Sequence, residues 1–290
     1  MHRQITAFID RQSGWADEVG DWAQPLVARL FEGRRPLKDA LNGTWFGHPL
    51  HPTITDVPTG AMTLAALFDL TGHDDAADTA VAVGIAGMAA AAVTGAADAV
   101  DAYDKPRTYA SVHATVMTAS LGAYLLSFLL RLGPGLFRPM ARLLAYLGYG
   151  AMTAGAYVGG DLVFRTGHQV DRHAFEGTSA KWRSLDVGEV PAGKLVKAKA
   201  GVDTLVLFRE REGDPISAIH AVCSHAGGPL DKGEIVDGCV QCPWHGSRFE
   251  LETGHVRRGP AVYDQPRFEV RESPDGGLQA RRVREEAVEA

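Results

Sequence analysis

The chain has 290 residues, 46% of them hydrophobic and 22% charged, and a net charge of −6. That length suggests about two domains, and the composition excludes an intrinsically disordered or collagen-like chain. The acidic balance offers no basic face of the kind that nucleic acid requires, so no nucleic-acid partner is expected. The average hides two unlike halves: residues 54–165 carry 15 charged side chains, whereas 171–290 carry 37. All three cysteines lie in the second half, too few for a disulfide framework and better suited to a metal site.

In chain order, residues 1–46 form an amphipathic segment. Trp15, Val19, Trp22, Leu26 and Leu30 recur at helical spacing. Such a helix lies in a membrane interface with its tryptophans at headgroup level, or packs on the soluble domain. Residues 47–170 then read as four transmembrane helices, spanning about 53–70, 79–97, 108–130 and 143–160. Three of these are uncharged runs of 18 or more residues, while the first is interrupted by Asp56 and Asp69. Gly84, Gly87, Gly95, Gly155 and Gly159 mark expected close helix–helix contacts.

Six basic residues precede Thr53, and more follow the second and fourth spans. The positive-inside rule therefore places both termini in the cytoplasm, with Arg34-Arg35 a basic flank and not an export signal. His48, His51, Asp56, Asp98, Asp101, His113, Asp161, Arg165 and His168 then gather at that face. Asp161 and Arg165, four apart, are expected to pair. His51 and His113 are candidate axial ligands of a b-type haem; the alternative is interfacial histidines bonded to neighbouring carboxylates and backbone. The motifs Gly47-His48-Pro49-Leu50-His51-Pro52, Asp56-Val57-Pro58-Thr59-Gly60 and Gly159-Gly160-Asp161-Leu162-Val163-Phe164 resemble an uncharacterised family of small bacterial four-helix membrane domains. That resemblance implies a multi-pass fold and no particular activity.

After a connector at 171–180, residues 181–283 carry the strongest chemical signal, Cys223-Ser224-His225 followed by Cys242-Pro243-Trp244-His245; an acidic tail, 284–290, closes the chain. Two sulfur and two imidazole ligands suit a tetrahedral zinc ion or a Rieske 2Fe–2S cluster. Each turn supplies one Cys and one His, which favours the two-iron centre, because each turn then contributes one ligand to each iron. Short strands are expected at Thr204–Phe208, Ala218–Ala221, Gly238–Gln241 and Arg267–Arg271. The stretch resembles a Rieske domain, and the resemblance assigns Cys223, His225, Cys242 and His245 as cofactor and metal ligands. It places Gly228 and Trp244 where bc-complex members carry an extra disulfide, so none is expected. It also implies that Ser247 donates to a bridging sulfide, while Phe249 replaces the tyrosine that usually adds a second donor. One donor fewer lowers the potential within the Rieske range of about −150 to +300 mV. Cys239 reads as a buried free thiol and His220 as structural, His255 is a turn residue, and Arg248, Arg257 and Arg258 form a basic rim.

The expected architecture is an all-α transmembrane bundle followed by a small all-β Rieske domain. The expected function is one-electron transfer at the cytoplasmic membrane surface, as the electron-transfer component of an oxidoreductase system. The lipid bilayer, redox donor and acceptor proteins or quinone, and a second copy of the chain are the candidate partners. A redox-sensing module is the alternative. A self-sufficient oxygenase lacks room for a mononuclear iron domain, and a transporter lacks an inverted repeat.

Overall fold

The computed structural model describes residues 2–11, 13–177, 180–274 and 276–283. The chain divides into two compact units, one of Met1–Asn42 with Pro49–His168 and one of Gly43–His48 with Gln169–Ala290. The expected acidic tail, 284–290, and residues 178–179 of the expected connector lie outside the described residues.

The first unit is helical: α1 (His2–Arg11), α2 (Ser13–Phe31), α3 (Arg35–Asn42), α4 (Leu50–Thr71), α5 (Asp74–Ala99), α6 (Asp104–Arg131) and α7 (Arg138–Phe164). The four apolar segments fall within α4–α7. By length and hydropathy, α5 and α6 qualify among the described residues as able to cross a membrane, at mean hydropathies of 1.9 and 1.4. Leu143–Gly160, which counts as a span by run length, falls below that measure because glycine and tyrosine dilute its leucines. Helix α2 buries Ala16 and Gly20, and leaves Trp22 and Leu30 exposed. Its polar side chains bond within this same unit: Gln24 Nε2 donates to the carbonyls of Val100 and Ala102, at 2.8 Å each, and Thr108 Oγ1 donates to Asp17 at 2.7 Å.

The α4–α5 and α6–α7 hairpins are two copies of one design. Each residue of α6 from His113 to Arg131 lies 62 positions after its counterpart in α4, giving His51/His113, Thr53/Thr115, Gly60-Ala61/Gly122-Ala123, Leu64/Leu126 and Leu67/Leu129. In α7 the offset is 64, giving Ala77/Ala141, Gly84/Gly148, Met88/Met152 and Gly95/Gly159. The contacts repeat with the letters. A Cβ on Gly84 would meet Met62 Sδ at 2.6 Å, and one on Gly148 would meet the Tyr124 ring at 3.0 Å; Met62 and Tyr124 are counterparts. Glycine at these positions lets each helix pair approach closely enough for the facing side chain to lie against backbone.

The repeat is broken in charge at the end opposite the histidines. Asp69 and Asp78 of the first hairpin correspond to Arg131 and Arg142 of the second. Arg131 binds Asp69 through both terminal guanidinium nitrogens and reaches Asp78 at 2.8 Å, while Arg142 lies 3.5 Å from Asp69. The side chains of Asp69 and Arg131 are fully buried. Near α3, Asp98 accepts from Asn42 Nδ2 at 2.6 Å, and Asp101 pairs with the buried Lys38. The expected Asp161–Arg165 pair does not form. Arg165 instead donates to Tyr109 Oη at 2.6 Å and lies 3.9 Å from Asp10, because Tyr109 is buried beside it and needs a hydrogen-bond partner.

Among the described residues, the second unit contains ten strands: β1 (Arg183–Asp186), β2 (Val196–Ala200), β3 (Asp203–Phe208), β4 (Ser217–His220), β5 (Glu234–Val236), β6 (Cys239–Gln241), β7 (Arg248–Glu250), β8 (Val256–Arg258), β9 (Arg267–Glu272) and β10 (Leu278–Arg282). Six close a barrel in the order β1-β10-β9-β4-β3-β2, and β5-β6-β7-β8 form a separate antiparallel sheet. Side chains alternate along a strand, and here alternation feeds two cores. Leu205, Leu207 and Ala218 enter the barrel core with Ala198 and Phe268. Val206 and Ile219 turn the other way and meet Val240, Phe249 and Leu251. This second core positions the site.

Candidate metal centre

The face of β4 that buries Ile219 continues at every second residue through Ala221 to Cys223, so the chain delivers Cys223 into the second core. On β6 the same rule carries Val240 and Cys242 into that core and turns Cys239 to the opposite face. Phe249, fully buried on β7, packs in the same core as both cysteines. Strand parity therefore separates Cys239 from the other two.

Beyond each strand the backbone closes the same loop. Cys223 N–H donates to Gly228 O at 2.8 Å, and Gly227 N–H to Cys223 O at 2.9 Å. In the second loop Cys242 N–H donates to Ser247 O at 2.8 Å, and Gly246 N–H to Cys242 O at 3.1 Å. Gly227 and Gly246 occupy equivalent positions with φ of +84° and +76°, a region glycine reaches without strain. The two loops bring Cys223 and Cys242 into hydrogen-bond contact and set the rings of His225 and His245 with centroids 5.1 Å apart. Sulfur pairs with sulfur and imidazole with imidazole, although the residues alternate in sequence.

Backbone N–H groups of His225 and Ala226 point at Cys223 sulfur, and those of Trp244 and His245 at Cys242. The Cys223 hydrogen bond, helped by those N–H groups, draws the Cys242 thiol down to about 7, while Cys223 is pushed up by holding the shared proton and by burial. Gly228 closes the sulfur side: a Cβ there would stand 2.6 Å from Cys242 Sγ. Both sulfurs are buried, whereas His245 is half-buried and the neighbouring Trp244 is 49% exposed, so the imidazole end is the one that reaches the surface. The donor set fits a 2Fe–2S cluster: two thiolates for one iron, two imidazoles for the other, and N–H donors around the sulfurs.

Ser247 is fully buried, and its Oγ accepts from Ala261 N–H at 3.0 Å, which leaves its own hydroxyl proton to donate elsewhere. Phe249 offers no donor. The expected basic rim is tied down internally: Arg248 donates to Gln241 at 2.9 Å, Arg258 to the same oxygen at 3.2 Å, and Arg257 to Glu250 at 2.8 Å. His255 lies 2.7 Å from Asp264, in keeping with a turn residue.

A second group had no signal in the sequence. His173 and Glu176 meet His220, with their ligating atoms within 4.8 Å of one another. The hydrogen bonds show what this group is. Val222 N–H donates to His220 Nδ1 at 3.2 Å, so the neutral ring carries its proton on Nε2, 3.4 Å from Glu176 Oε1. His220 thus presents a proton to the carboxylate and has no lone pair there for a metal. His173 Nε2 donates to Val222 O at 2.8 Å, its Nδ1 lies 2.9 Å from Glu176 Oε1, and Arg282 approaches the other carboxylate oxygen at 3.4 Å. The group is a hydrogen-bonded brace clasping the peptide before Cys223.

Burial, and then the adjacent His173, hold the His220 imidazole down to about 4. An unfolded histidine titrates near 6.5, so between these values the unfolded chain binds the extra proton and stability falls as pH falls. The expected loss between pH 7 and pH 5 is about 2 kcal/mol. Thermal unfolding at the two pH values checks this: His220→Asn, whose side-chain oxygen can take the Val222 N–H, should show a shallower pH dependence than the parent chain.

In the helical unit, His51 on α4 and His113 on α6 are also brought together, with ring centroids 6.3 Å apart.

Comparison with known proteins agrees with both halves. A family model described as Rieske [2Fe-2S] domain matches residues 182–269, and one described as predicted membrane protein (DUF2231) matches 47–172. The anthranilate 1,2-dioxygenase ferredoxin subunit of Burkholderia cepacia is 34% identical over 86 residues, which is 29% of this chain and 78% of that protein. Chlorophyllide a oxygenase of Chlamydomonas reinhardtii is 40% identical over 75 residues, 26% of this chain and 12% of that one. Among solved structures, the ferredoxin of carbazole 1,9a-dioxygenase from Nocardioides aromaticivorans is similar at 24% identity and a TM-score of 0.30, covering 36% of this chain and 96% of that one.

Proposed function

Because this chain belongs to the Rieske [2Fe-2S] family, with a DUF2231 domain ahead of its Rieske domain, we propose that it is a membrane-anchored one-electron carrier whose cluster is held by Cys223, His225, Cys242 and His245. When bound, such a cluster takes up and releases one electron at a time. The observation that carries the proposal is the pair of equivalent loops, which sorts the four side chains into two sulfurs and two imidazoles.

The protein's part follows from the surroundings. Cys223 and Cys242 hold the buried end, and four backbone N–H groups direct positive charge at their sulfurs. Ser247 supplies a further proton, and Phe249 withholds the one a tyrosine would add. Fewer donors stabilise the extra electron less, so the midpoint potential falls in the lower or middle part of about −150 to +300 mV. Partners approach over His245 and Trp244, where the site reaches the surface. The domain extends over residues 181–283, and residues 47–170 anchor it in a bacterial membrane with both termini and the Rieske domain in the cytoplasm. The electron partners are oxygenase or reductase proteins, or a quinone. A b-type haem between His51 and His113 completes the cofactor set in this reading.

The test is reoxidation of the reduced cluster in native membranes, followed by EPR. An electron carrier loses its signal with turnover when quinone or a partner oxygenase is added. A cluster that stays reduced with every acceptor, yet changes the protease sensitivity of the bundle between redox states, would favour the redox-sensing module instead.

A further inference from the structure

The histidines of the bundle are the one titratable pair that its internal repeat conserves. His51 and His113 are counterparts, and so are the groups that hold them. His51 Nδ1 lies 2.8 Å from Ala91 O and His113 Nδ1 lies 2.8 Å from Gly155 O, and those carbonyls are themselves 64 positions apart. A carbonyl can only accept, so both rings carry their proton on Nδ1 and keep the Nε2 lone pair free. This is the arrangement found behind metal-bound imidazoles, where the far nitrogen fixes tautomer and ring orientation. Gly95 and Gly159, also counterparts, lie against the two rings; a Cβ would come within 2.8 Å of His51 and 3.0 Å of His113. Both hairpins thus keep a glycine where a side chain would displace the imidazole.

The two rings meet across the bundle with centroids 6.3 Å apart. Two imidazoles bound through Nε2 on opposite sides of one metal ion, at about 2.0–2.1 Å, have centroids about 6.4 Å apart. Among the described residues, no third His, Cys, Asp or Glu ligand atom joins this pair. A zinc ion asks the protein for three or four ligands. An iron already held in the plane of a tetrapyrrole asks for two.

We propose that the two hairpins together form one haem site, with His51 and His113 as its axial ligands through Nε2, each oriented by the carbonyl of Ala91 or Gly155. This rests on the haem reading above and turns two candidate residues into a single site that neither hairpin forms alone.

The test uses the full chain in detergent, titrated with hemin and followed by optical and EPR spectroscopy. The expected result is one hemin per chain with a six-coordinate low-spin spectrum. His51→Ala and His113→Ala each abolish the low-spin form, added imidazole restores it, and the cluster signal stays unchanged throughout. That unchanged signal separates failure here from failure of the cluster assignment, and the imidazole rescue shows that the bundle of each variant still folds. Absence of stoichiometric hemin binding would overturn the proposal, as would a low-spin spectrum indifferent to both substitutions, or failure of imidazole rescue while the cluster signal persists. Histidine-dependent binding of zinc(II) or copper(II) without hemin would overturn it too.

Discussion

Cys242→Ser removes essentially all iron and visible absorption from the protein, and Cys223→Ser does the same. In the proposed cluster each supplies one of two sulfurs to one iron, and a serine hydroxyl in that buried core is a poorer ligand and an unpaired polar group. The loss extends to stability, because the free energy of metal binding is also folding free energy for a site that the unfolded chain does not possess. Cys239→Ser is the control. It sits on the opposite face of β6, so it keeps full iron content and costs about 1 kcal/mol. Iron and sulfide analysis of the three variants beside a thermal melt decides the matter. Equal iron loss in Cys239→Ser would break the strand-parity argument, and a colourless parent protein rich in zinc would replace the cluster with a zinc site.

Arg131→Met destabilises the helical bundle by about 3–5 kcal/mol, since it leaves the Asp69 carboxylate buried without its bidentate partner. Adding Asp69→Leu recovers most of that loss. Asp78 still has Arg138 at 2.5 Å, and Arg142 still has Asp74 at 2.6 Å, so the apolar pair strands no other charge. Unfolding of the purified chain in detergent, read by helical circular dichroism, should place the double variant near the parent and the single variant well below it. A double variant as unstable as Arg131→Met would mean that the pair organises the bundle beyond its own charges.

Part of the helical repeat is present in the letters, and it runs parallel, not inverted. His-x-Thr and Gly-Ala recur at a fixed offset, as do two leucines of the same helix. The offset changes from 62 to 64 between the two helices of each hairpin, which blurs any single alignment. No such recurrence marks His173 and Glu176. They lie in a stretch without regular structure, and their partner His220 is distant in sequence. The Asp161–Arg165 expectation failed for a related reason: spacing along a helix offers a partner, but Tyr109 from another helix takes the guanidinium.

The sequence by itself determined the two-part composition, the apolar segments and the Cys-x-His and Cys-x-x-His motifs, since each is a property of neighbours along the chain. It also set aside Cys239 by its spacing. Tertiary structure decided which atoms meet. Sulfur faces sulfur because β4 and β6 feed the same core and then close loops of identical hydrogen bonding. His51 faces His113 because two similar hairpins pack against each other. Such meetings depend on which faces pack across long separations in sequence, and strand or helix periodicity names the face without naming its partner.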